Sequence, residues 1–186
     1  SQPRAEGSAV DPANHLLWRM NPRRLDIEAY RDCLLQASGL LDTTMSGPSD
    51  DLERDSSTRR TVYGRIRRGR PASLLQLYDF PSPKMHSPKR ETTTSPLQQL
   101  FIMNSSFIQE QAKSLVESVE SELTRDDLEL TAASREQALI QLMYRRVLGR
   151  GPSSTESRLA EQFLQAATAE EFAQALFATN EMIFWP

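Results

Sequence analysis

Apolar positions along the chain fall into two unlike halves. From Leu16 to Leu41 they recur at helical spacing: Leu25, Ala29, Cys33 and Ala37 come every four residues, and Tyr30, Leu34 and Leu41 widen the stripe. That spacing predicts one long helix, capped by Asn21, with Pro22 in its first turn and Gly39 at its end. Residues 43–58 are polar, carry the breaker Gly47–Pro48 and show no period, which predicts a mobile loop. From Arg60 to Arg67 the residues alternate, Val62, Gly64 and Ile66 facing one way and Tyr63 with two arginines the other. This is the one short extended segment that the pattern predicts. Pro71 opens a short helix carrying Leu74, Leu75, Leu77 and Tyr78, and Pro81, Pro83 and Pro88 make the stretch from Phe80 to Thr94 irregular.

The second half is a run of capped amphipathic helices. Ser95/Gln98, Ser134/Gln137, Ser153/Glu156 and Thr168/Glu171 each place a hydroxyl three residues before Glu or Gln. In such a box the two side chains satisfy backbone N–H groups that a helix start leaves unpaired. Apolar residues follow at helical spacing in each: Leu97, Leu100 and Phe101; Leu139, Leu142, Met143 and Val147; Leu159, Phe163 and Leu164; Phe172, Leu176 and Phe177. A further helix runs from Phe107 to Glu122 on Ile108, Ala112, Leu115 and Val119, and Gly149 ends the second capped helix with Arg145 and Arg146 near its negative end. The expected fold is all-α: one irregular helical bundle over residues 1–186, with long loops and short links between antiparallel neighbours at the end. No repeat of 20–50 residues points to a solenoid.

Composition narrows the function classes without choosing one. Lys and Arg number 22 against 25 Asp and Glu, a net charge of −3, so whole-chain basicity of the kind that drives nucleic-acid binding is excluded. A single cysteine, Cys33, excludes an internal disulfide, a Cys-rich zinc site and an iron–sulfur cluster. Its place in the stripe makes it a small buried hydrophobe. No apolar run approaches the ~20 residues of a membrane helix. Residues 1–10 show neither a basic region nor an apolar one of the kind that starts a leader, and the chain reads as a piece of something longer.

Candidate chemistry is sparse. His15 and His86 stand alone, there is no C-x-x-C-H for a covalent haem, and no phosphate-cradling or nucleophile motif occurs, so no cofactor or metal site is expected in this chain. Asp50–Asp51 and Asp126–Asp127 read as solvated turn carboxylates, and the six methionines as core filling. One concentration stands out. Arg59, Arg60, Arg65, Arg67, Arg68 and Arg70 fall within twelve residues around Tyr63, with Lys84, Lys89 and Arg90 further on. They form either an anion-binding edge, with Tyr63 available to stack, or a solvated segment paired with an acidic helix such as the one holding Glu117, Glu120 and Glu122.

Asp11-Pro-Ala-Asn-His-Leu-Leu-Trp-Arg-Met20, followed by Arg23-Arg24-Leu-Asp-Ile-Glu28-Ala-Tyr-Arg31-Asp32, resembles the planctomycete-type domain of unknown function 1553. The likeness continues through Ser38-Gly39, Leu41-Asp42, Met45 to Pro48, Arg60 to Tyr63, Tyr78-Asp79, Arg90, Thr94, Pro96, Leu97, Gln98 and Asn104, then Tyr144 to Arg150 and Ala178 to Met182. It is collinear across almost the whole chain and corresponds to the later portion of that domain.

The resemblance implies a helical accessory or interaction domain at the C-terminal side of a large exported protein, in the periplasm or cell envelope. Its partners would be an upstream domain of the same protein and a cytochrome c domain, with haem in a linked domain and a part in redox or polysaccharide metabolism. The alternative is a share of an active site, dehydrogenase-like or carbohydrate-active, formed with the upstream domain. Where the family often has Cys three residues before Arg90, this chain has Ser87. The motif residues Arg23, Arg24, Glu28, Arg31 and Asp32 are placed on the first helix. With Arg90, Gln98 and Asn104 they form either a clamp of charge-assisted hydrogen bonds or a polar pocket for a sugar or anion.

Overall fold

The computed structural model describes residues 5–125 and 131–185. Among them the chain runs α1 (Ala5–Val10), β1 (Arg23–Arg24), α2 (Ile27–Ser38), a single 3-10 turn at Thr61–Tyr63, α3 (Ser73–Leu77), α4 (Pro96–Asn104), α5 (Ser106–Arg125), α6 (Ala132–Leu148), α7 (Ser154–Leu164), α8 (Ala169–Phe177), α9 (Asn180–Ile183) and β2 (Phe184–Trp185). The all-α expectation holds. The pair Asp126–Asp127 lies outside the described residues.

α5 is the axis. Its stripe of Ile108, Ala112, Leu115 and Val119 is fully buried, and α8, α2, α6 and α4 pack around it. Leu34 and Leu35 come from α2, Ile140 and Met143 from α6, Ala173 and Phe177 from α8. Burying such side chains is worth about 1.5–3 kcal/mol each, which drives these stripes together. The Tyr30 hydroxyl donates to the Phe177 carbonyl at 3.0 Å, tying α2 to α8, and burial pushes its pKa well above the ordinary tyrosine range.

Three of the four expected capping boxes are formed, at Ser95/Gln98, Ser153/Glu156 and Thr168/Glu171. The fourth is corrected. Thr131, not Ser134, caps α6, because Ala132 and Ala133 extend the helix one turn earlier and the Thr131 hydroxyl accepts the Ser134 N–H. Gly39 and Gly149 close α2 and α6 at φ of 78° and 70°, the left-handed backbone that glycine adopts without strain.

Two expectations for the first half fail. The helix does not start near Asn21: Arg23 and Arg24 are extended, pairing antiparallel with Trp185 and Phe184, and α2 begins after Asp26. Arg24 and Glu28 therefore do not share a helix. Nor is Arg60–Arg67 a strand. Thr61–Tyr63 is a 3-10 turn and Val62 is 70% exposed, so alternation there does not mark a buried face. The extended segment is the 23–24/184–185 ribbon instead.

Candidate functional site

α2 works as a plank with a loop fastened to each side. On one side Arg31 leaves the helix into the core, only 1% exposed. Nη1 donates to the Arg59 carbonyl at 3.0 Å and to Thr61 Oγ1 at 3.1 Å. Nη2 donates to the Ser57 carbonyl and to Ser57 Oγ, and the guanidinium faces the Phe107 ring at 5.2 Å. Its charge is balanced at one remove. The Ser57 hydroxyl donates to Asp50 at 2.6 Å, and the Thr61 hydroxyl and N–H both donate to Asp32, at 2.6 and 2.7 Å. Burial lowers the Arg31 pKa, and Asp32 and Asp50 oppose that fall. The hydrogen bond from Ser57 holds the Asp50 carboxyl below its ordinary range.

Arg59 extends this fastening into the 43–58 segment, which has no helix or regular strand. It donates to the carbonyls of Thr44, Ser46 and Pro48 and lies 4.3 Å above the Tyr63 ring, while the Ser46 N–H donates to the Tyr63 hydroxyl. Single bridges join Asp42 to Arg59 and Asp50 to Gly64. Gly64 is needed there: a Cβ would stand 2.3 Å from the buried Leu52 side chain.

On the other side the fastening is a guanidinium–carboxylate pair. Both terminal nitrogens of Arg90 donate to Glu28, each at 2.6 Å, and Arg90 stands 5.3 Å from the Phe80 ring. Burial is the largest influence on the Glu28 carboxyl and pushes it up, but the Arg90 hydrogen bond, the residue's own backbone N–H and the Arg90 charge together outweigh it and the net shift is down; Arg90 is raised in turn. Arg24 donates to the Thr93 carbonyl and to Gln98 Oε1, and covers the Tyr78 ring. Gln98 is buried and donates to the Leu77 carbonyl. Asp79, at φ 60°, accepts both the N–H and the hydroxyl of Thr93. The proline-rich stretch 79–93 is thus closed at its base, and encloses an open depression of about 940 Å³ that reaches Met85, His86 and Arg90.

The motif residues divide rather than forming one cluster. Arg31 and Asp32 hold the 57–61 segment, while Arg24, Glu28, Arg90 and Gln98 hold the 79–98 segment. Arg23 is exposed on the ribbon, and Asn104 is exposed at the end of α4, donating to the Leu100 carbonyl.

The arginine run does not meet the acidic face of α5. Arg60 lies 3.8 Å from Asp32, Arg67 lies 3.7 Å from Asp51 and Arg65 donates weakly to Ser49; Arg68 and Arg70 are exposed with no ion pair among the described residues. Glu122 is taken by Arg146 instead, and Glu117 faces Lys113. Cys33 is half-buried, and burial and Asp32 push its thiol up, away from reactivity. Among the described residues no three His, Cys, Asp or Glu side chains converge as metal ligands.

A third fastening escaped the sequence reading. Arg150 chelates Glu156 at 2.7 and 2.9 Å and Glu181 at 2.6 and 2.7 Å beneath the Tyr144 ring, joining the start of α7 to α9. Arg150 first, and the Ser153 N–H second, hold Glu156 at about 2. The signal was present in the capping box at Glu156, whose carboxylate serves both partners.

A family model described as a protein of unknown function (DUF1553), PSD1, matches residues 1–164 of the 186. The chain belongs to the PSD1 family. No curated protein and no solved structure matches it. In this PSD1 chain the motif residues around α2 are joints between helix and loop, and no helix among the described residues is long and apolar enough to cross a membrane.

Proposed function

We propose that this chain is a helical accessory and interaction module of a large exported multi-domain protein, working beside cytochrome c-type redox or polysaccharide chemistry that other parts of that protein carry. Its partners are then an upstream domain of the same polypeptide and a cytochrome c domain, in the periplasm or cell envelope. Any haem belongs to a linked domain, because this chain has no C-x-x-C-H.

One observation supports this reading above the others. Arg24, Glu28, Arg31, Asp32, Arg90 and Gln98 each bond to a distant part of the same chain. A guanidinium whose donors already meet main-chain carbonyls has little left to offer a substrate. The test is Glu28→Ala with Arg31→Ala in the full-length parent. The melting temperature should fall, while any activity of the parent, measured well below that temperature, keeps its KM. Loss of activity in a protein that is still folded would give these residues a chemical role and favour an active site shared with the upstream domain.

A second reading rests on Arg65, Arg67, Arg68 and Arg70, all exposed within six residues. They suit an acidic polymer bound by charge. Binding to polyphosphate that weakens steeply with salt is the expected result, and salt-independent binding opposes it.

A further inference from the structure

A run of strongly exposed apolar side chains lies between the end of α1 and β1, on a loop braced to keep them out of the core. Val10 at the end of α1 is 81% exposed, Leu16 and Leu17 are 77% and 73%, and Met20 is 60%. Three residues on, Arg23 pairs in register with the exposed Trp185, so indole and guanidinium leave the same face of the ribbon.

The bracing is internal. The buried Asp11 carboxylate accepts the Leu16 N–H at 2.7 Å. The buried Asn14 side chain donates to the Arg19 carbonyl and to Asn21 Oδ1, and accepts the Arg19 N–H. The Trp18 indole N–H donates to the Asp11 carbonyl, and its ring lies on Gly7, where a Cβ would come within 2.4 Å. Asn14 and Leu17 are held at φ 58° and 54°. A leucine in left-handed backbone is strained and persists only where its surroundings impose it. Here they impose it on a residue that faces water.

Beyond the buried Asp11, charge on this loop is one-sided. Residues 12–25 contain no Asp or Glu, and Arg19, stacked 5.5 Å over Trp18, and Arg23 flank the apolar tip.

We propose that the loop is a shallow anchor for an anionic lipid surface. Leu16, Leu17 and Met20 enter the edge of the hydrocarbon, the indoles of Trp18 and Trp185 lie at headgroup depth, and Arg19 and Arg23 meet lipid phosphates. So few exposed side chains fall far short of the ~800 Å² per partner of a stable protein interface. Shallow insertion needs only a few apolar side chains backed by cations, and gives reversible binding. The inference does not depend on the docking role proposed above.

Cosedimentation of the chain with vesicles tests it, using phosphatidylcholine alone and an equal mixture with phosphatidylglycerol. The chain should bind the mixed vesicles at low salt with a blue shift of tryptophan emission. Leu16→Ser with Leu17→Asn, the latter keeping a residue suited to left-handed backbone, should weaken that binding by roughly tenfold with melting unchanged. Arg19→Gln with Arg23→Gln should remove the preference for anionic lipid. Absence of binding to the mixed vesicles overturns the proposal. So does binding that the leucine pair leaves unchanged, which would be adsorption through Arg65–Arg70. Self-association of the chain that the leucine pair abolishes, without vesicle binding, would make the loop a protein contact instead.

Discussion

Arg31 and Arg90 do the same task in opposite ways. Each joins α2 to a long loop. Arg31 is buried, meets two carbonyls and two hydroxyls, and has its charge balanced only through Ser57 and Thr61. Arg90 is a third exposed and grips Glu28 directly with both ends of its fork. A guanidinium–carboxylate pair near water fixes where two segments meet. A buried guanidinium that collects carbonyls dictates the path of the chain, since each carbonyl left behind would be buried without a partner.

That difference sets an order of effects. Arg31→Ala should be the most damaging change, costing about 3 kcal/mol or more in urea unfolding, because it strands the Ser57 and Arg59 carbonyls and unbalances two carboxylates. A loss below about 1 kcal/mol would erase the contrast. Arg90→Lys keeps the charge but not the fork, and should cost about 1–2 kcal/mol; Glu28→Gln should match it, the two being halves of one contact.

Glu156→Gln exposes a third kind of ion pair through pH. The folded chain holds this carboxyl at about 2 against an ordinary 4.5, so its stabilisation is complete above about 4.5 and drains away as pH falls toward 2. The difference in melting temperature between wild type and Glu156→Gln should be constant near neutrality and shrink through that acid window. A constant difference across it would mean the Arg150 contact does not hold the proton off. The smallest effect is expected from Arg68→Ser with Arg70→Ser, which touch no carboxylate among the described residues and should stay within about 0.5 kcal/mol of wild type.

The C-terminal helices were legible because their instructions are local. Ser153 and Glu156, or Thr168 and Glu171, meet within one turn, and the stripes of α5, α6 and α8 bury as spaced, whereas on α7 Leu159 and Phe163 stay exposed and Ala160 is the buried residue. The first half depends on distant partners. Arg23 and Arg24 are drawn out of a helix by Phe184 and Trp185, some 160 residues away. Thr61 is turned by Asp32, which takes both its donors, so the alternation from Arg60 onward never becomes a strand. The motif residues themselves were found from resemblance and composition, and a clamp to the Arg90 segment was expected. Its division in two was not, because Ser57 and Asp50 carry no signal that they serve a buried arginine. Arg150 gives no sign of its role for a similar reason: Glu156 is fully accounted for as a cap in the sequence pattern.

The charged face of α2 fastens loops through Glu28, Arg31 and Asp32. Native-state hydrogen exchange on Arg31→Met tests it most directly. The amides of residues 57–64, Thr61 above all, should lose protection, while those of α5 and α8 keep theirs up to the global unfolding limit. Unchanged protection at Thr61 would contradict the account and leave Arg31 buried for some purpose other than holding the chain.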